Sequence, residues 1–253
     1  MKALSVMEDK WLSGLFGHGA FRLAAGDSWE GLSERNLRAL AEHEKGREQA
    51  FYYGKVPTNS AGAVRLLNSA GYFTVDVNVT FNRDPNLPPL PPPDCGIVRV
   101  SADGPEARAC VEIAGSCFRY SRFHLDPLVA PALARRVKAE WIENYVRGRR
   151  GDGLYAALAD GKPAGFLAVI ASEEAGKKVF VIDLVGVAAS AQGKGIGRSL
   201  TRFFINEFRG RCDDLRVGTQ AANIPSMRLY ESCGFKVFQT AYVLHKHLKK
   251  EKS

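Results

Sequence analysis

The stretch Lys178–Arg209, KVFVIDLVGVAASAQGKGIGRSLTRFFINEFR, decides how the rest of the chain is read. Val179 to Val187 is a β-branched apolar run interrupted only by Asp183 and Gly186, the composition of a largely buried strand. Gln192-Gly193-Lys194-Gly195-Ile196-Gly197 follows, and then Leu200, Phe203, Phe204 and Phe208 recur at helical spacing. A strand, a glycine loop and a helix together offer free backbone N–H groups and a positive helix end to an anion. The glycines permit positive φ and close approach of ligand oxygens to the backbone.

Downstream, the pattern predicts a strand over Leu215–Thr219, a helix from Pro225 to Cys233 stopped by Gly234, and a strand from Phe235 to Leu244. Upstream lie an expected strand at Ile97–Val100 and helices over Pro105–Cys117 and Pro131–Arg147. Between those helices is a loop, Arg119–Pro127. A hairpin, Leu154–Leu158 and Gly165–Ile170, turns at Asp160-Gly161. The first 84 residues contain an expected strand at Ala20–Leu23, helices near Ser33–Gly46 and Ser60–Ala70, and an alternating strand from Tyr72 to Phe81. Arg65-Leu-Leu-Asn-Ser-Ala-Gly-Tyr72 echoes Arg228-Leu-Tyr-Glu-Ser-Cys-Gly-Phe235, each followed by a strand, which points to a degenerate half-repeat. Between the parts stands Asp84-Pro-Asn-Leu-Pro-Pro-Leu-Pro-Pro-Pro-Asp94, read as an extended connector. The expected division is 1–84, a linker at 85–94, 95–248 and a basic tail at 249–253.

The chain of 253 residues is 45% hydrophobic and 25% charged, an ordinary globular composition. No apolar run approaches the roughly 20 residues of a membrane span, and charged residues at positions 8–10 argue against a secretion signal. Five cysteines at unrelated spacings, without a C-x-x-C pair, favour a reducing cytoplasm and no metal site. A net charge of +8 suits an anionic ligand, while no basic stripe interleaved with aromatics suggests nucleic acid.

Spacing excludes two phosphate loops. A Walker A loop ends Gly-Lys-Ser/Thr, and a dinucleotide fingerprint places its third glycine where this chain has Arg198. Gln192–Gly197 instead fits [Q/R]-x-x-G-x-[G/A], and with the preceding strand and the element order from Ile97 to Leu244 it resembles the GCN5-related N-acetyltransferases (GNATs). The resemblance implies an α/β (α+β) fold: a central mixed, mostly antiparallel sheet flanked by helices, preceded by a truncated GNAT-like N-terminal domain. Gly218-Thr-Gln-Ala-Ala-Asn223, Arg228-Leu-Tyr230, Cys233-Gly-Phe235, Tyr120-Ser-Arg-Phe-His124 and Trp141-Ile-Glu-Asn144 are similar to the dTDP-fucosamine acetyltransferase group.

That resemblance implies acetyl-CoA as cosubstrate and a small-molecule amine, a nucleotide-linked amino sugar, as acceptor. Leu184, Val185 and Val187 would run beside pantetheine. Gln192, Gly193, Lys194, Gly195, Ile196, Gly197 and Arg198 would hold the pyrophosphate, with Asn223 as a further cofactor contact or a helix cap. Tyr230 would be the general acid. A gap is expected where the strand carrying Val185 parts from its neighbour after Leu215, with Gly186 suited to a bulge. Asp183 shares that strand and is a candidate general base or the partner of a basic residue. Tyr120, Arg122, His124 and Asp126 are candidate acceptor contacts, whereas His245 and His247 read as solvated tail. A homodimer is compatible with the sequence. Two other readings stay open: acetylation of another small amine or a peptide amine, and acyl-CoA binding without catalysis.

Overall fold

The computed structural model describes residues 4–25 and 28–249. In chain order, β1 (Leu4–Glu8), α1 (Lys10–Phe16), β2 (Gly19–Ala25), α2 (Glu34–Glu44), β3 (Ala50–Pro57), α3 (Ala61–Ser69) and β4 (Phe73–Arg83) precede the proline span. After it come β5 (Gly96–Arg99), α4 (Pro105–Cys117), the short α5 (Arg122–Leu125), α6 (Pro131–Val146), β6 (Gly153–Ala159), β7 (Lys162–Glu174) and β8 (Lys177–Val187). The chain continues through α7 (Ile196–Phe208), β9 (Asp214–Gln220) and α8 (Ile224–Ser232) to β10 (Lys236–Leu248). Of the expected tail at 249–253, all but Lys249 lies outside the described residues.

The ten strands form one mixed sheet in the order β1-β2-β3-β10-β4-β9-β8-β7-β6-β5. Only β2/β3 and β8/β9 are parallel. The last strand, β10, is inserted between β3 and β4, so the parts before and after the proline span share one sheet. The proline span is clamped along α7. Prolines supply carbonyls but no N–H, and side chains take those carbonyls: Arg83 donates to Pro88, while Arg209 donates to Pro85 and Leu87. Asn206 both donates to and accepts from the Leu90 backbone.

The repeated segments end their helices with the same hydrogen bonds. Gly71 N–H donates to Asn68 and Tyr72 N–H to Leu67; Gly234 N–H donates to Glu231 and Phe235 N–H to Tyr230. Both glycines sit in the left-handed region, at φ 85° and 81°. Exchanging β3 with β9 and β4 with β10 leaves the local strand order β3-β10-β4-β9 unchanged in kind. Helices α2, α3, α7 and α8 cover one face over two apolar clusters, and α1, α4 and α6 pack on the other.

The site is set by one break in the sheet. Strands β8 and β9 pair from Val179–Asp214 to Ile182–Val217 and no further. Asp183–Val187 then follow β7, while Gly218–Gln220 follow β4, and a wedge opens between them. The expected bulge is present but falls at Asp183 rather than Gly186, since Ile182 and Leu184 pair with the consecutive residues Val169 and Ala168. Gly186 serves packing instead: a Cβ there would lie 2.6 Å from Cys117 Sγ and 2.6 Å from the Phe166 ring. Gly186→Ala should therefore destabilise the fold by about 1–3 kcal/mol through overpacking, read as a lowered Tm by calorimetry. Gly14→Ala, where the added carbon meets nothing within 4 Å, serves as the tolerated control.

Candidate active site

The wedge opens into a cleft of about 1670 Å³, larger than the ~300–1,000 Å³ of a typical single-ligand pocket. It has room for two substrates. One end is the glycine loop. Gly193 and Gly195 have φ of 77° and 82°, and α7 begins at Ile196 without a side-chain cap. Its first-turn N–H groups have no carbonyl one turn back to accept them, so they are available to phosphate oxygens. The Gln192 amide donates to the Val187 carbonyl at 3.2 Å and ties the loop back to β8. Leu184, Val185, Val187, Gln192, Gly193, Gly195, Ile196 and Gly197 all line the cleft. Lys194 and Arg198 are exposed beside it. Geometry and donor set fit the pyrophosphate and pantetheine arm of acetyl-CoA.

Asn223 also lines the cleft and caps α8, accepting from Ser226 N–H at 3.3 Å. Two turns on, Tyr230 is only 3% exposed yet reaches the cleft wall, its ring held between Phe81 and Phe235 at 5.9 and 6.1 Å. Burial raises its pKa, so the phenol keeps its proton and is a donor at neutral pH.

Asp183 does not suit the role of base. Arg150 donates to both of its oxygens, at 2.7 and 2.9 Å, and Trp141 and Tyr145 each add a bond at 2.8 Å. Burial alone would raise its pKa, but the Arg150 guanidinium and these donors hold it below the ordinary value. A carboxylate saturated by four hydrogen bonds has little basicity left. It orients Arg150 and α6.

Of the four candidate acceptor contacts, Tyr120 and Arg122 line the cleft. His124 turns its ring onto the Ser121 hydroxyl at 2.6 Å and is not among the lining residues. Asp126 has no side-chain exposure and therefore cannot touch a ligand. Its Oδ2 instead accepts from His245 Nδ1 and His247 Nε2, both at 2.7 Å. These two histidines, expected in solvent, are respectively fully and nine-tenths buried. The sequence signal was their spacing of two on a strand, which places both on one face; their partner lies 119 residues away.

The partners define the tautomer of His245: Nδ1–H donates to Asp126, and Nε2 accepts from Arg122 Nη1 at 3.3 Å. Arg122 then lies over the rings of Tyr53 and Phe123, at 3.9 and 4.3 Å to their centres, and Tyr53 donates to Asp9 at 2.7 Å. The chain Asp126–His245–Arg122 thus aims a guanidinium into the cleft. Among the described residues, Asp126, His245 and His247 are also near enough to one another, within 4.8 Å, to ligate a metal; here they satisfy one another.

Lys138 of α6 adds a second cation, buried against the rings of Phe118 and Trp141 at 4.9 Å each. Burial, then the charge of Arg122, pushes its pKa down to about 8. Lys55 of β3 reaches the same cleft and donates to Asn78 at 3.2 Å. Sequence reasoning missed Lys55 and Asp76, each a lone charged residue in the interior of a strand, and Lys138, one of several charges on an ordinary amphipathic helix.

Residues 109–235 match the model of the Acetyltransferase (GNAT) family. The chain belongs to that family. It is 27% identical over 218 residues to a mycothiol acetyltransferase of Acidothermus cellulolyticus, covering 83% of this chain and 65% of that protein. It is 30% identical over 197 residues to a dTDP-fucosamine acetyltransferase of Escherichia coli, covering 76% and 80% of the two chains. The chain therefore spans slightly less than two thirds of the mycothiol relative. The crystal structure of a GCN5-related N-acetyltransferase from Sphaerobacter thermophilus superposes with a TM-score of 0.57 at 17% identity, over 97% of this chain and 76% of that one.

Burial lowers the pKa of His245 to about 4. Its neutral form therefore stabilises the fold fully above the unfolded value near 6.5, and that contribution is lost as pH falls toward 4. His245→Ala should cost on the order of 3 kcal/mol at pH 7.5 by leaving Asp126 and Arg122 without their shared partner. The difference in Tm between wild type and variant should narrow as the pH is lowered through that window, measured by calorimetry.

Proposed function

We propose that this protein transfers acetyl from acetyl-CoA to the amino group of a nucleotide-linked amino sugar, by direct attack of the amine on the thioester. The observation that carries the acceptor class is the pair of cations, Arg122 and Lys138, at the cleft. Neither forms an ion pair with a carboxylate among the described residues, and both come from the helices α5 and α6 rather than from the glycine loop. Cations kept buried without counter-charges are costly, and an acceptor carrying a diphosphate supplies the missing charge. Similarity to the dTDP-fucosamine acetyltransferase supports the same class.

The chemistry asks for positioning and one proton donor. The wedge holds the thioester between the two strand edges, and the loop fixes the cofactor at its other end. Complete transfer from a phenol near ~10 to a thiolate near ~8.5 is uphill by about 2 kcal/mol, and burial of Tyr230 adds to that. Tyr230 therefore acts through a hydrogen bond that strengthens as charge develops on sulfur.

The test is release of CoA thiol with dTDP-4-amino-4,6-dideoxygalactose against simple amines that lack an anionic group. The nucleotide sugar should exceed them in kcat/KM by at least ~100-fold, and equal rates would remove the anion-bearing acceptor. In the same assay Tyr230→Phe should lower kcat by about 10²–10³ with acetyl-CoA affinity nearly unchanged; full activity would remove Tyr230 from the reaction.

A further inference from the structure

With Asp183 occupied by Arg150, the acyl transfer proposed above lacks a group to receive the proton of the incoming amine. An acceptor amine arrives as an ammonium ion at neutral pH, and only its neutral form attacks. Besides Asp183, three carboxylates among the described residues line the cleft: Glu30, Asp76 and Glu174. Glu174 is paired with Arg216. Glu30 lies on an exposed turn. Asp76 is different.

Asp76 lies on β4 and lines the cleft, and it is only 7% exposed. Its Oδ2 is a buried side-chain polar atom without a hydrogen-bond partner among the described residues. A buried carboxylate oxygen left unpaired carries a desolvation cost, which points to a donor that arrives with a ligand. The position is also apt. Asp76, Asn78 and Thr80 share one face of β4 and all line the cleft. Asn78 pairs with Gln220 in register, and its amide donates to the Thr219 carbonyl at 3.0 Å, on the part of β9 that has parted from β8. Asp76 follows two residues along, about 7 Å, at the mouth of the wedge. Across β10, Val243 pairs with Asp76 on one side and Lys55 on the other.

We propose that Asp76 is the carboxylate that binds the ammonium group of the acceptor and takes its proton. Lys55 of β3 is the charged group that acts on it; Arg122 of α5, Lys138 of α6 and the Arg150-paired Asp183 of β8 line the same cleft, and β10 presents Val243 and, two residues on, the buried His245. Burial pushes the Asp76 pKa up to about 6, against the opposing pull of the Val77 backbone and Lys55, so it is ionised at pH 7 yet more basic than an exposed aspartate. The terminal torsion of an aspartate is broad, so the proposal requires only a turn about it to present Oδ2 to the ammonium group.

The protons balance. One N–H bond of the ammonium breaks, its proton passes to Asp76, and the electron pair stays on nitrogen. As the N–C bond forms, the C–S bond breaks with its pair on sulfur. The second nitrogen proton is lost to water, and sulfur leaves as a thiolate held by the Tyr230 hydrogen bond, taking a proton from water as CoA is released. Asp76 then returns its proton to solvent.

Asp76→Asn keeps the shape and removes the basicity, so its Tm should stay close to that of wild type. With dTDP-4-amino-4,6-dideoxygalactose, the variant should lose about 10²–10⁴ in kcat/KM, with acetyl-CoA affinity unchanged. The wild-type profile of kcat/KM should fall below pH ~6 with one ionising group, and the variant should lack that step. Unchanged kcat/KM and an unchanged acidic limb would overturn the assignment. Should the nucleotide sugar not be acetylated, the acceptor reading above fails by itself. Asp76 is then judged by carbon-13 carboxyl titration of the full chain with CoA bound, which needs no acceptor. A resonance absent from Asp76→Asn and titrating near 6 supports the proposal, whereas a midpoint below about 5 overturns it.

Discussion

Strand β10 hydrogen-bonds to β3 along one edge and to β4 along the other, and the architecture of the cleft follows from that insertion. β4 already pairs with β9, but without β10 the strands β1–β3 would have no edge by which to join the sheet. With it, Tyr53 and Lys55 of β3, Asp76 and Asn78 of β4, and the parted ends of β8 and β9 line one cavity. The same strand carries His245 and His247 into the layer beneath, where Asp126 joins them and orients Arg122. The carboxy-terminal strand is thus both a structural closure and the support of a cation in the site.

The charges around the cleft sort into paired and unpaired groups, and the sorting separates support from chemistry. Asp183, Arg150, Arg216 and Glu174 have counter-charges within the protein, so their net field is small and their function is to hold elements together. Arg122 and Lys138 have aromatic neighbours but no counter-ion among the described residues, and Asp76 has an oxygen without a donor. Buried charge is tolerated where a ligand completes it. Two cations and one carboxylate left incomplete in a single cleft are the charge pattern on which the proposed acceptor rests.

The glycine loop and the cap of α8 were legible in the chain because their geometry is local. Gln192–Gly197 is contiguous, Gly193 and Gly195 adopt the positive φ that only glycine takes readily, and the helix that follows is amphipathic by inspection. Asn223 and Tyr230 lie one helix away, with Pro225 and Gly234 marking its ends. The gap between β8 and β9 was expected close to where it occurs, although its bulge is at Asp183. The acceptor side was not legible. Asp126 and His245 are 119 residues apart, and nothing along the chain tells a strand-borne histidine in solvent from one beneath a sheet. The proline span read as an extended connector because its composition excludes helix, while of the side chains that clamp it only Arg83 is adjacent and Asn206 and Arg209 come from a distant segment.

By itself, then, the sequence determined the order of elements from β5 to β10 apart from the short α5, and the glycine loop with its positive-φ turn, since each rests on backbone conformation and spacing within a few turns of chain. Only the tertiary structure decided which carboxylate is spent on an ion pair and which is free, which histidines are buried, and which cations meet in the cleft. Those properties depend on what each side chain finds across the sheet, and hydrogen-bond completion and desolvation are settled by neighbours in space rather than along the chain.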